Sequence, residues 1–174
     1  MNEVVQAMVT RRSCRQYWDR PVPEELLDQV LLAGTYAANG RGRQAGRIVV
    51  LTKKEDITAL EKLNAQALGN PEAQPFMARR WCWWSGRQVR PHGGGGRELG
   101  HWQHAPGCPR SGFGSLLDSS RREEFESPEG KTLLAKWGIT GDYIGVGHCI
   151  LGYPPQRPRP LPPRKENFVT KFKF

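Results

Sequence analysis

The chain is poor in cysteine. Four are present in 174 residues, and Cys14, Cys82, Cys108 and Cys149 show no paired short spacing. A disulfide framework is therefore not expected to hold the fold. No run of about 18 apolar residues is available to span a membrane. The start, Met1-Asn2-Glu3-Val4, carries no signal-peptide pattern, so a cytoplasmic protein without membrane contact is expected. Metal-ligand spacing is also missing. Cys82, His92, His101, His104 and Cys108 can be drawn as a zinc site, but they fit no standard pattern, and no metal is expected. Acidic residues are scarce in one segment only. Residues 77–122 hold two Asp+Glu against eight Lys+Arg, which is six of the formal net charge of +9. The flanks, 1–76 and 123–174, are close to balance.

What is present begins with Arg11-Arg12-Ser13-Cys14-Arg15, three cations and a hydroxyl in five residues. Arg offers planar, charge-assisted double hydrogen bonds to a phosphate, and Ser adds a short donor. A solvated basic turn is the plain alternative. Before the cluster, Asn2 caps a short helix whose apolar face is Val4, Val5, Met8 and Val9. After it, Pro23-Glu24-Glu25 starts a second helix, with acids against the positive end of the dipole. Its stripe is Leu26, Leu27, Val30, Leu31 and Gly34, and it runs to about Ala38. A glycine-rich loop follows from Asn39 to Gly46, open enough for backbone N–H groups to approach an anion or a flat ligand. Arg47 to Thr52 reads as a buried strand, and Glu55 to about Leu68 as an amphipathic helix.

Residues 77–122 then read differently. They carry four of the six Trp and nine of the 20 Gly, with neither a helical period nor strand alternation, and are expected to be irregular. Ordinary patterning resumes at Glu123. Ser127-Pro128-Glu129-Gly130 starts a helix with Leu133, Leu134 and Trp137 on one side and Gly138 as its stop. Tyr143 to Leu151 reads as a buried strand ending at Gly152-Tyr153-Pro154. A Pro-rich tail delivers Arg164-Lys165 and an apolar end, Phe168-Val169.

These parts resemble the nitroreductase family of flavoenzymes. The resemblance rests on four motifs in order: Arg11-Arg12-Ser13-x-Arg15; Pro21-Val22-Pro23-Glu24-Glu25-Leu26-Leu27; Ala37-Ala38-Asn39-Gly40-x-Gly42-x-Gln44 before a strand; and Gly147-His148-Cys149-Ile150-Leu151-Gly152-Tyr153-Pro154, followed by a Pro-rich stretch and Pro163-Arg164-Lys165. They cover roughly residues 3–76 and 123–170. The departures are Gly42 where many members have Asn, Ala45-Gly46 where many have Pro and an aromatic, and Pro162 at one of two usual cation positions in the tail.

The middle does not resemble the family as written, and the mismatch has a pattern. Read one base earlier, 76–85 permits YGAPVVLVV, a turn and an apolar strand. Read one base later, 85–122 permits LADRSAPT, a variable run, DGSLVIGNMLLAAHA, a G-L-G turn, a variable position and CWIH. Three single-base losses would produce this and restore frame before Glu123-Glu124-Phe125. Residues 77–122 are thus expected to be frameshifted text, from a sequencing error or a decayed gene. If the text as written is what is made, a central strand and a central helix are expected to be lost, leaving a poorly folded, flavin-free chain.

The resemblance implies a single α+β domain over 1–174, a three-layer α/β/α sandwich around a mainly antiparallel sheet. It implies a homodimer holding FMN at its interface and passing electrons from NADH or NADPH to nitro, quinone or similar small-molecule acceptors, with the flavin doing the redox work and no catalytic side chain required. By position, Arg11 and Arg164 would hold the phosphate. Arg12 and Ser13 would reach the phosphate or ribityl chain, and Arg15 would lie near the pyrimidine edge. Asn39, Gly40, Gly42 and Gln44 would line the flavin from the partner subunit. Two other readings stand beside this one: a small basic nucleic-acid-binding protein that uses Trp81, Trp83, Trp84 and the Gly93–Gly96 run, and an inactive flavin-binding remnant.

Overall fold

Asn2 Oδ1 accepts the Val5 N–H at 2.9 Å and so starts α1, Glu3–Thr10. In the computed structural model, which describes residues 1–37, 42, 44, 46–70, 72, 82–88, 114–118, 122–141, 143–156 and 161–172, eight further elements follow. They are α2 (Glu24–Thr35), β1 (Gly46–Leu51), α3 (Lys54–Ala67), β2 (Cys82–Gln88), β3 (Gly114–Asp118), α4 (Arg122–Glu126), α5 (Pro128–Lys136) and β4 (Tyr143–Gly152). A 3-10 turn at Glu166–Phe168 lies in the tail. The expected helices and strands outside the middle segment are found within a few residues of their predicted bounds. α2 closes at Thr35, earlier than predicted. Ser127 Oγ caps α5 by accepting the Gly130 N–H, and Gly138, at φ +70, provides the expected stop.

The four described strands form one antiparallel sheet in the order β1-β2-β4-β3. β4 lies inside the sheet with helices over both faces, which is why it is apolar almost without interruption. On one face, Val22, Leu27 and Val30 from α2 and its approach pack on Cys149 and Leu151. On the other face, Ile57, Leu60 and Leu63 of α3 join Phe125, Leu134, Ile139, Leu51 and Ile150. The result is the α+β, three-layer arrangement with an antiparallel sheet that the sequence predicts.

The middle segment departs from expectation. Residues 77–122 are predicted irregular, with a central strand lost; instead the described parts include β2, paired with β1 and β4, and β3, paired with β4. The reason is that strand pairing uses backbone N–H and C=O groups that every non-proline residue carries. β1 and β4 present these groups on either side of β2, whatever side chains it bears. The helix that the shifted frame would write falls outside the described residues.

One polar group is built into the core. Glu124 of α4 is buried, and its Oε1 accepts Asn64 Nδ2 of α3 at 2.5 Å. Its Oε2 lies 2.5 Å from His148 Nε2 of β4. Three elements are thereby tied at one carboxylate.

Candidate functional site

The arginine cluster leaves the end of α1 and runs along the sheet edge as a strap. The Arg11 N–H caps the helix on Ala7 O at 3.1 Å. Ser13 then bridges to Ser115 of β3, and the Cys14 N–H donates to Ser115 O at 2.9 Å. Tyr17 Oη donates to Cys14 O at 2.6 Å, and the Trp18 N–H donates to Tyr153 O at 2.7 Å. Arg20 closes the strap over the Tyr153 ring, 4.3 Å from its centroid. Three like charges within five residues are in this way held by backbone bonds to β3 and to Tyr153, just past β4.

Within the strap, Arg11 and Arg12 are half-buried, whereas Ser13 and Arg15 are exposed. Cys14 points inward. Burial pushes its thiol up, opposed by a backbone hydrogen bond from Ser115 and by the charges of Arg11 and Arg12. It stays a neutral thiol at physiological pH and serves as packing, while the two guanidiniums beside it supply the field. Two half-buried arginines on a backbone fixed to the sheet suit a phosphate better than a solvated turn does, because less side-chain freedom remains to be lost on binding.

The remaining predicted residues lie elsewhere. Gly42 has φ +63 and nothing within 4 Å of where a Cβ would sit. Gln44, at φ 46, is a non-glycine residue in left-handed backbone. Such a conformation marks a shaped loop rather than a slack one. Both are exposed, as is Arg164 in the tail. Asn39 and Gly40 lie outside the described residues, as do Trp81, the Gly93–Gly96 run and His92, His101, His104 and Cys108. Trp83 and Trp84 sit in the backbone ladder of β2, opposite Val50 and Val49 of β1, which is not the open loop that the nucleic-acid reading needs. Among the described residues no group of three or more His, Cys, Asp or Glu could hold a metal, and no helix is long and apolar enough to cross a membrane.

Sequence reasoning did not single out Tyr17, Gly114, Ser115 or Gly152. Each matters through a neighbour more than a hundred residues away or through a strand with no sequence period. The only available signal was Gly152-Tyr153 at the end of a strand.

The comparisons agree with this geometry. The family model described as the nitroreductase family matches residues 8–90. A protein of Methanothermobacter thermautotrophicus, named as a candidate NADH dehydrogenase/NAD(P)H nitroreductase, is 36% identical over 76 residues, which is 44% of this chain and 35% of that protein. The match thus spans about a third of the relative's length. Among solved structures, a nitroreductase with bound FMN from Desulfitobacterium hafniense superposes with a TM-score of 0.84 at 19% identity, covering 99% of this chain and all of that one. Another, from Bacteroides fragilis and also with bound FMN, gives 0.83 at 17% identity, with coverage of 99% and 100%. An iodotyrosine deiodinase bound to FMN and 3-iodo-L-tyrosine gives 0.73 at 14% identity, with coverage of 98% and 100%. These likenesses establish the nitroreductase fold.

Proposed function

For a chain whose residues 8–90 match the nitroreductase family model, we propose an FMN-dependent oxidoreductase that takes electrons from NADH or NADPH and delivers them to a small acceptor of nitro or quinone type. The observation that carries this reading is the bond from the Cys14 N–H to Ser115 O, which holds two half-buried arginines at a sheet edge. The donor set fits the cofactor. A phosphate monoester is a dianion, and Arg11, Arg12 and Ser13 offer charge-assisted and hydroxyl donors to it. Arg164 would add a further cation, and Arg15 would set positive charge near the ring. The Gly42–Gln44 loop gives backbone that can approach a flat surface. Bound FMN supplies hydride and electron transfer; the chain's own task is to hold the phosphate, orient the ring and exclude water. The deiodinase neighbour acts on a different compound on the same fold, so the acceptor follows from loops rather than from the sheet.

The reading includes a homodimer. The apolar face of α1 turns outward, with Val4 60% and Met8 55% exposed, and the tail exposes Phe168 and Phe172 at 74% and 81%. A second copy of the chain is the occupant we assign to these surfaces, because the loop and tail residues would then reach a flavin shared between subunits. The inactive-remnant reading differs only in lacking NAD(P)H oxidation.

The test is an absorbance spectrum after FMN is added and free flavin removed. Retained flavin near one per chain, lost in Arg11→Ala with Arg12→Ala, is expected. A colourless parent protein would overturn the assignment for this chain as written. NAD(P)H consumption by the yellow protein then separates the enzyme from the remnant.

A further inference from the structure

Gly114 of β3 and Gly152 of β4 are directly opposite in the ladder, and both are buried. Cys14 and Tyr17 of the strap lie against this pair. A Cβ on Gly114 would overlap Cys14 Sγ and lie 2.5 Å from Cys14 Cβ. A Cβ on Gly152 would lie 2.6 Å from Cδ1 of the Tyr17 ring and 3.2 Å from Tyr17 Cβ. Neither glycine has a positive φ, so alanine is conformationally permitted at both and the obstacle is steric. The two missing side chains form a notch two strands wide. Cys14 fills one half and Tyr17 the other. The bonds at Cys14, Tyr17 and Trp18 form only while the strap lies at this depth.

We propose that Gly114 and Gly152 are positioning residues for phosphate recognition: the notch sets the depth of the strap, and the strap sets where Arg11 and Arg12 meet a phosphate monoester. The phosphate half of the proposal rests on the flavin reading above; the notch half does not. Raising the strap by a methyl group leaves the arginines present but displaced. Charge-assisted hydrogen bonds weaken steeply with angle and distance, so affinity for the phosphate should fall while contacts to the ring persist.

The experiment uses the full chain, with Gly152→Ala, Gly114→Ala, Tyr17→Ala and the Tyr17→Ala/Gly152→Ala pair. Two readouts are taken. Amide hydrogen exchange follows the Cys14 and Trp18 N–H groups, with the α3 amides as internal control. Flavin titration compares FMN with riboflavin, which lacks the phosphate. In each glycine variant we expect exchange at Cys14 and Trp18 to rise about tenfold or more with α3 unchanged. The preference for FMN over riboflavin should fall by a similar factor. In the Tyr17→Ala background, where the space over Gly152 is already empty, Gly152→Ala should add little. Parent-like exchange at Cys14 and Trp18 in both glycine variants would overturn the notch. An equal loss of FMN and riboflavin would overturn its role in phosphate recognition. A parent chain that protects both amides but takes up no flavin would sink the flavin reading and leave the notch standing. Should a glycine variant fail to fold, Tyr17→Ala alone carries the same two expectations.

Discussion

His148 Nε2 lies 2.5 Å from Glu124 Oε2, and neither side chain reaches solvent. Asn64 holds the other carboxyl oxygen, so α3, α4 and β4 converge on one polar group inside an apolar cluster. The Phe125 ring, 6.2 Å from the imidazole, closes one side. A buried group of this kind is costly to remove in part. Deleting the carboxyl takes a hydrogen-bond partner from two buried side chains, Asn64 and His148, at about 1–3 kcal/mol each. Against a total of about 5–15 kcal/mol, that is a large share. Glu124→Ala is therefore expected to lower the urea midpoint sharply, whereas Glu124→Gln, which keeps the volume and one acceptor oxygen, should cost less. Equal midpoints for the parent and Glu124→Ala would contradict this account of the core.

An ion pair at the surface, by contrast, is sensitive to pH. Lys136 Nζ lies 2.6 Å from Asp56 Oδ1, joining the end of α5 to the first turn of α3. The hydrogen bond from Lys136 holds the Asp56 carboxyl below its usual range; burial opposes it as the next largest effect, and Trp137 and the charges of Lys136 and Lys53 help less. A depressed carboxylate contributes stability that is fully present above its ordinary pKa, about 3.9. That contribution is lost as pH falls through the lower folded value. Lys136 is mostly exposed, so the scale is about 0.5 kcal/mol. Asp56→Asn should lower stability by about that amount at pH 7 and converge on the parent well below pH 4. A gap that persists undiminished at low pH would show that the pair is not its cause.

Legibility followed the range of the signal. α2 was readable because Pro23 and two acids start it and its stripe repeats at 3.6 residues. α5 was readable because Ser127-Pro128 caps it and Gly138 stops it. These signals are local. β2 and β3 have no local signal, since Cys82 to Gln88 alternates nothing; their strand state comes from partners on β1 and β4. The same divide runs through the site. Arg11 to Arg15 stood out as charge. The notch did not, because Gly114 and Cys14 meet only once the sheet is assembled. The Glu124–His148 contact was missed because, although His148 lies in a strand that reads as buried, nothing local marks Glu124 as its buried partner.

The exposed α1 face predicts association. Val4, Val5, Met8 and Val9 lie together on a helix with no buried residue. A continuous apolar face at this exposure suits contact with another chain better than contact with water. Met8→Asp should weaken self-association by roughly 2 kcal/mol or more, since a carboxylate would be buried without a partner. Light scattering across a dilution series should give a dimer mass for the parent and a monomer mass for the variant at the same concentration. FMN retention should fall with it, because loop and tail residues from the second copy would be withdrawn. A parent that is monomeric at every concentration would remove the homodimer from the proposal.

The last prediction concerns the coding text of 77–122. The shifted frame writes Val-Val-Leu-Val-Val on positions 81–85, of which 82–85 fall in β2. It writes G-L-G on 112–114 and continues through β3, keeping glycine at the position where a Cβ would overlap Cys14. The frame as written instead puts the Ser115 hydroxyl in the core, with no hydrogen-bond partner among the described residues. An unsatisfied buried hydroxyl costs about 1–3 kcal/mol. An inner strand between β1 and β4 favours apolar residues at 82–85, and the Cys14 contact asks for a glycine at 114. The shifted text meets both requirements, and the written text meets only the second. Two measurements decide the matter. Peptide masses across 77–122 from the natural source should match the shifted text. A chain carrying that text should be more stable than the written one by several kcal/mol, with greater FMN retention. Peptides matching the written sequence, together with equal stability of the two chains, would establish that the Trp- and Gly-rich segment is what this fold uses.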